Sequence, residues 1–208
     1  MLRGDSEVRF TDLQRKIFLH RQKALIVFAI DASESMGEGS LERMKAAKGA
    51  VLGLLTAAYQ NRDQVGLVAF RERQAQVLLR PTSSVLLAQQ QLRRLPIGGA
   101  TPFADGLWQA WQMIRSERQR QPNLQPLLVV VSDGEANVPL VAGADIFPEL
   151  QGLARQIGRD RISSVVIDSR AGIGHPRLRE LAGNLGGSYR QIGDLHAGKL
   201  IEVIRAAE

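Results

Sequence analysis

Cysteine is absent from this sequence. Its absence removes a disulfide framework, a thiolate zinc site and a cysteine nucleophile together, and it fits a reducing cytoplasm. Long apolar runs are missing as well. The longest, Ala24 to Ile30, is far too short to cross a bilayer. The amino terminus, Met-Leu-Arg-Gly-Asp-Ser-Glu, lacks the apolar stretch of a secretory signal. Aromatic residues are scarce, with two Trp, two Tyr and six Phe, and they are not interleaved with the basic groups.

What is present is ordinary for a globular domain. With 44% hydrophobic and 23% charged residues over 208 positions, the chain is long enough to bury a sizeable core. The net charge of +6 raises the question of nucleic acid. The basic residues, however, lie in small separate groups at Arg15/Lys16, Arg71/Arg73, Arg93/Arg94 and Arg115/Arg118/Arg120. No helix-turn-helix, zinc-finger or RNP-type signature accompanies them. They read as solvated helix faces, with a basic docking face for an acidic protein as the second reading. Neither nucleic acid nor a membrane is expected as a partner.

Apolar, β-branched runs alternate with stretches of helical period. Ala24–Ile30, Val65–Phe70, Leu127–Val131 and Ser164–Ile167 are continuous enough to be parallel strands covered on both faces. Ala75–Leu79 follows Val65–Phe70 closely and reads as an antiparallel edge strand. Ser188–Ile192 is a weaker last strand. Helical faces are formed by Leu41, Met44, Val51, Leu55 and Ala58, and by Phe103, Leu107, Trp111 and Ile114. Ile146, Leu150, Leu153 and Ile157 make a third, and Leu200, Ile201 and Ile204 close the chain. The expected fold is α/β: a doubly wound, mostly parallel sheet with one antiparallel edge strand and helices on both faces. Residues 1–23 are expected to be an amino-terminal extension, and 24–208 the domain.

In open parallel sheets the ligand site lies beyond the carboxyl ends of the strands. The first strand runs into Asp31-Ala32-Ser33-Glu34-Ser35, and a later one into Ser132-Asp133-Gly134-Glu135. Between them Gly98-Gly99-Ala100-Thr101-Pro102 opens a helix. Asp31, Ser33 and Ser35 are spaced by two, so in an extended turn their oxygens can point the same way. Thr101 adds a hydroxyl and Asp133 a second carboxylate. Such a set, without His or Cys, suits a hard cation, Mg²⁺ first and Mn²⁺ as the alternative. Each piece also has a structural reading. Ser35 or Ser40 can cap the helix near Leu41, Thr101 before Pro102 is a good N-cap, and Asp133-Gly134 is a common turn. Their convergence at one end of one sheet favours a site.

Together, Asp-x-Ser-x-Ser, Gly-Gly-x-Thr-Pro and Ser-Asp-Gly resemble the metal-ion-dependent adhesion site of von Willebrand A (integrin I-like) domains. The resemblance implies that Ser33, Ser35 and Thr101 ligate a metal and that Asp31 and Asp133 bind it directly or through water. It leaves the sixth position to an acidic residue of a partner. Arg43–Val51, Ala58–Asp63, Val68–Arg71 and Asp133–Val138 are further similar to the carboxyl-terminal domain of the D subunits of magnesium and cobalt chelatases. That likeness implies a non-catalytic module working with an AAA+ ATPase subunit and a chelatase-type large subunit in metal insertion into a tetrapyrrole. Two features depart from the family. Glu34 stands where Gly usually separates the serines, and no AAA+-like module or acidic, Pro-rich linker precedes the domain in these residues. The chain is therefore expected to be a fragment or a free-standing A-domain.

Other motifs carry less. Gly193-Asp194-Leu195-His196-Ala197-Gly198-Lys199 imitates a P-loop, but Leu200 stands where the Mg²⁺-binding hydroxyl belongs. Arg3-Gly4-Asp5 is an adhesion tripeptide by letters only. A phosphatase of the haloacid dehalogenase type would use Asp31 as nucleophile, yet Ser33 replaces its second aspartate. No Gly-x-Ser-x-Gly elbow marks a serine hydrolase. His20, His175 and His196 read as surface or packed histidines. No catalysis is expected of the isolated chain. An adaptor for another AAA+ ATPase is the alternative machine.

Overall fold

The computed structural model describes residues 24–34, 49, 51–53, 55–56, 63–170 and 173–191. Six strands form one sheet: β1 (Ala24–Asp31), β2 (Gln64–Arg71), β3 (Gln74–Thr82), β4 (Gln125–Ser132), β5 (Ser163–Asp168) and β6 (Ser188–Gln191), in the order β3-β2-β1-β4-β5-β6. All neighbours pair in parallel except β2 and β3. Every residue of β1 is buried, as expected of a central strand with helices on both faces. The helices described over their full length are α1 (Val85–Arg94), α2 (Phe103–Arg120), α3 (Ile146–Arg159) and α4 (Pro176–Asn184).

Alternation along the strands divides the core in two. Ile26, Phe28 and Ile30 of β1 face Val51, Leu55, Ala88 and Leu92 on one side. Leu25, Val27 and Ala29 face Phe103, Leu107, Ile114, Leu150 and Leu178 on the other. The expected fold class, the antiparallel edge strand and the helical faces at Phe103–Ile114 and Ile146–Ile157 are all found. The helix through Leu41 is described only in part, where residues 51–53 and 55–56 are helical and Val51 and Leu55 are buried. The extension over 1–23, the helical face at Leu200–Ile204 and the P-loop-like stretch at Gly193–Lys199 lie outside the described residues. Among the described residues no helix is long and apolar enough to cross a membrane.

Two helices go beyond the sequence expectation. Among the described side chains of α1 only Ala88 and Leu92 are fully buried, whereas Leu86 is 80% exposed, which blurs the apolar stripe. Ser84 caps it by accepting from the Leu87 N–H at 3.4 Å. In α4 three small or branched residues, Leu178, Leu181 and Ala182, make the buried face behind Pro176 in the first turn. Both helices are short, so each offers only a few buried residues.

Helix α2 holds the Thr101 loop in place, because that loop leads directly into its amino-terminal end. The helix is seated by a close approach: a Cβ at Gly106 would overlap the Phe70 ring of β2. Phe70 also stacks on Phe103 with centroids 4.9 Å apart. Asp105 accepts from the Ala75 N–H at 2.7 Å and ties the same turn to β3. Gly106→Ala gains helix propensity of about 1 kcal/mol but forces the Phe70 contact apart, at a cost of about 1–3 kcal/mol. A lower urea midpoint with unchanged slope is the expected result, and a higher midpoint contradicts the contact.

Candidate functional site

The site is built on the carboxyl end of β1. Asp31 is fully buried, its Oδ1 accepting from the Ser33 N–H at 3.0 Å and the Ser33 hydroxyl at 2.6 Å. Its Oδ2 accepts from the Ser132 hydroxyl at 2.7 Å, across to β4. Ser132 Oγ in turn accepts from the Gly134 N–H at 3.0 Å, which shapes the turn that presents Asp133. Asp133 is also buried, and its Oδ1 accepts from the Glu135 N–H at 3.1 Å. Burial pushes the Asp31 carboxyl up to about 7. Hydrogen bonds from Ser33 and Ser132 pull it back down, and the negative charge of Asp133 adds to the rise. Among the described residues no cationic side chain acts on Asp31.

The Thr101 loop is tied over this point by main-chain bonds. The Gly98 N–H donates to Ala32 O at 2.9 Å, and the Glu34 N–H to Gly99 O at 2.9 Å. Gly99 has φ +80°, and a Cβ there would run into Glu72, so glycine is needed on both counts. Asn137 clamps Thr101 from the far side: its Oδ1 accepts from the Thr101 N–H at 2.6 Å, and its own N–H donates to Thr101 O at 3.2 Å. The alternative reading of Thr101 as an N-cap is not found. Pro102 is the residue at the cap of α2, and no side chain caps that end.

Asp31, Ser33, Thr101 and Asp133 are thus brought to one end of the sheet, all buried. Ser35, and with it the capping alternatives at Ser35 and Ser40, lies outside the described residues. Above them opens a shallow cavity of about 500 Å³ lined by Glu34, Gly99, Ala100, Thr101, Glu135 and Asn137. Glu34 has no left-handed backbone, so replacing the usual glycine there brings no strain.

Several residues that sequence reasoning does not single out support the arrangement. Ser132 belongs to the Ser-Asp-Gly motif but acts by bridging β4 to Asp31. Asp168, buried at the carboxyl end of β5, accepts from the Arg170 N–H at 2.9 Å, the His175 N–H at 2.8 Å and the Tyr189 hydroxyl at 2.6 Å. Burial, with the acceptor and charge of Asp168, raises the Tyr189 phenol above its ordinary value. The loop so organised lays the His175 ring against Gly134 and places Arg170 2.6 Å from Glu135. The signal for Asp168 is its place directly after an apolar strand. For Asn137 the sequence carries none.

Donor chemistry decides what could be held here. Among the described residues no three His, Cys, Asp or Glu side chains cluster. Two carboxylates with surrounding hydroxyls are a hard oxygen set of low charge, which fits Mg²⁺ rather than zinc or a soft metal.

Comparison with known proteins agrees with the geometry. A family profile described as the von Willebrand factor type A domain matches residues 26–135. A magnesium-chelatase 67 kDa subunit of Chlorobaculum parvum is 38% identical over 202 residues, covering 92% of this chain and 32% of the relative. The chain therefore spans about a third of that relative's length. An uncharacterized protein of Methanocaldococcus jannaschii is 34% identical over 176 residues, covering 82% of this chain and 98% of the relative. Among solved structures, the protein BatB of Bacteroides thetaiotaomicron superposes with a TM-score of 0.68 at 16% identity, over 88% of this chain and 98% of that one, a likeness of fold alone. On the match over residues 26–135, more than half of its length, the chain belongs to the von Willebrand factor type A domain family.

Proposed function

We propose that this domain is a metal-dependent docking module in which Asp31, Ser33, Ser35, Thr101 and Asp133 hold one Mg²⁺, or Mn²⁺ in its place. The observation that carries the reading is the pair of buried carboxylates, Asp31 and Asp133, set among neutral hydroxyls, with no cationic side chain acting on Asp31 among the described residues. An uncompensated buried charge is costly, and a divalent ion balances two at once. When bound, the ion supplies a positive centre short of negative ligands, which a partner's Asp or Glu completes. The chain's own residues do the rest. Ser33 and Ser132 orient the Asp31 oxygens, and Asn137 fixes the loop that bears Thr101.

The similarity to magnesium-chelatase subunits supports placing the module in a chelatase-like complex, without catalysis of its own. Its partners there would be an AAA+ ATPase subunit and a chelatase-type large subunit acting in metal insertion into a tetrapyrrole. Docking to a different AAA+ ATPase is the second reading. Its motive is that a domain of this kind makes up 98% of the Methanocaldococcus jannaschii relative, without the further length of a chelatase subunit.

Calorimetry on the purified chain should record Mg²⁺ or Mn²⁺ binding that Asp31→Ala abolishes while circular dichroism stays unchanged. Equal affinity in the mutant sinks the ligand assignment. A partner ATPase should be captured in Mg²⁺, released by EDTA and held weakly by Thr101→Ala, which removes a hydroxyl but no charge. Capture indifferent to both treatments would move the contact to another face.

The raised carboxyl also sets a pH dependence. The folded Asp31, at about 7 against an ordinary 3.8, holds its proton more tightly than the unfolded chain. Its contribution to stability is therefore complete below the ordinary value and lost as pH rises through about 7. In EDTA the melting temperature should fall between about pH 4 and pH 7, the window between the two values. Saturating Mg²⁺ should remove that fall, since binding needs the carboxylate and displaces its proton. Asp31→Asn should flatten the EDTA profile. A profile unchanged by Mg²⁺ and by the mutation contradicts the account.

A further inference from the structure

A second recess, of about 460 Å³, runs along the seam between β3 and α2. From β3 come Val77, Arg80 and Pro81, and from α2 residues between Gln109 and Arg120. Thr82, at the close of β3, pairs with Val65 at the start of β2, so the seam here lies toward the strands' amino ends. Val77, Pro81 and Met113 form the apolar part of the lining, and Val77 is 44% exposed. Met113 reaches Gly66 of β2, where a Cβ would overlap its sulfur. The missing side chain gives the thioether room against the sheet. The charges of the lining are unequal. Glu117, its one acidic residue among those described, lies 3.1 Å from Arg120. Arg80 is exposed and has no ion-pair partner among the described residues. Other arginines of α2 are engaged elsewhere: Arg115 stacks on the Trp111 ring, and Arg118 donates to the main-chain oxygens of Asp160 and Arg161. The groove thus joins an apolar floor to one uncommitted cation on its rim.

We propose that this groove seats an extended acidic segment of a partner protein, with an aliphatic side chain over Val77 and Met113 and a carboxylate on Arg80. Its length fits such an occupant. From Gln109 to Arg120 the helix axis rises roughly 16 Å, which about five residues of extended chain would span. The two kinds of contact do different work. An aliphatic anchor in an apolar seat supplies most of the affinity, and complementary charge at the rim selects the partner and speeds its arrival. A polyanion without the anchor would gain only exposed ion pairs, which are weak. The groove shares no lining residue with the cavity over Thr101, so the inference stands apart from the proposed metal site.

The test uses the 208-residue chain labelled with carbon-13 in the methyl groups of its four methionines. Loss of one resonance in Met113→Leu identifies the Met113 signal. The synthetic peptide Glu-Glu-Leu-Glu-Glu should shift that signal saturably, in EDTA as in Mg²⁺, and Lys-Lys-Leu-Lys-Lys should leave it unmoved. Exchanging the peptide's leucine for serine should weaken binding severalfold. Arg80→Glu should do the same from the protein's side. Gly66→Ala should also weaken the leucine peptide severalfold, because the added methyl drives the Met113 sulfur up into the groove. Circular dichroism checks the fold of each variant, and Arg80→Glu, on an exposed side chain, decides the matter should Gly66→Ala unfold. No shift at Met113, equal binding of the serine peptide, or wild-type affinity in Arg80→Glu or in folded Gly66→Ala overturns the proposal. Binding that EDTA abolishes overturns it too, since the peptide would then sit on the metal.

Discussion

The arrangement at the end of β1 depends on how one carboxylate is buried. Asp31 closes the central strand, with no solvent access, beside the second buried acid Asp133. Left to burial alone, such a group would stay protonated or distort its surroundings. Three short bonds from Ser33 and Ser132 hold its oxygens in place and lower the cost. They also fix the geometry on both sides. One set of bonds shapes the turn after β1, and the other reaches β4, whose own turn carries Asp133. The local electrostatic problem and the local architecture therefore have a common solution, and removing either hydroxyl would disturb both.

Around this point the supports come from separate parts of the chain. Main-chain bonds join the β1 turn to the Gly98–Thr101 loop, and Asn137 holds that loop from beyond the Asp133 turn. Asp168, one strand further out, organises the segment that carries Arg170 and His175. That segment meets the Asp133 turn through the Arg170–Glu135 pair and the His175–Gly134 contact. The pair is partly exposed and worth little on its own. Its role is to set where the Glu135 charge sits. The carboxyl ends of β1, β4 and β5 are in this way one connected surface.

The strands were legible because central parallel strands must be apolar on both faces, so Ala24–Ile30 and Leu127–Val131 leave little choice. Helices α2 and α3 were legible because each presents several core residues at helical spacing. Helices α1 and α4 were not, since Ala88 and Leu92 in one, and Leu178, Leu181 and Ala182 in the other, are too few to set a period. Of the site, Asp31, Ser33 and Asp133 could be gathered from the rule that loops after parallel strands meet, and Thr101 from the Gly-Gly-x-Thr-Pro loop that opens α2. Asn137 and Asp168 could not be assigned, because their work is hydrogen bonding to distant main chain. Such bonds leave no periodic trace.

The clamp on Thr101 bears on how such a domain can change over generations. Both bonds between Asn137 and residue 101 engage the main-chain N–H and C=O of residue 101, not its side chain. The loop's path is therefore independent of what the side chain at that position is. A lineage could exchange the threonine, and with it the donor chemistry of the site, without having to rebuild the loop. Asn137 is the residue held fixed while its neighbour varies. Domains of this architecture that have lost their original ligand chemistry should then keep the loop's shape, and the asparagine, longer than they keep the hydroxyl.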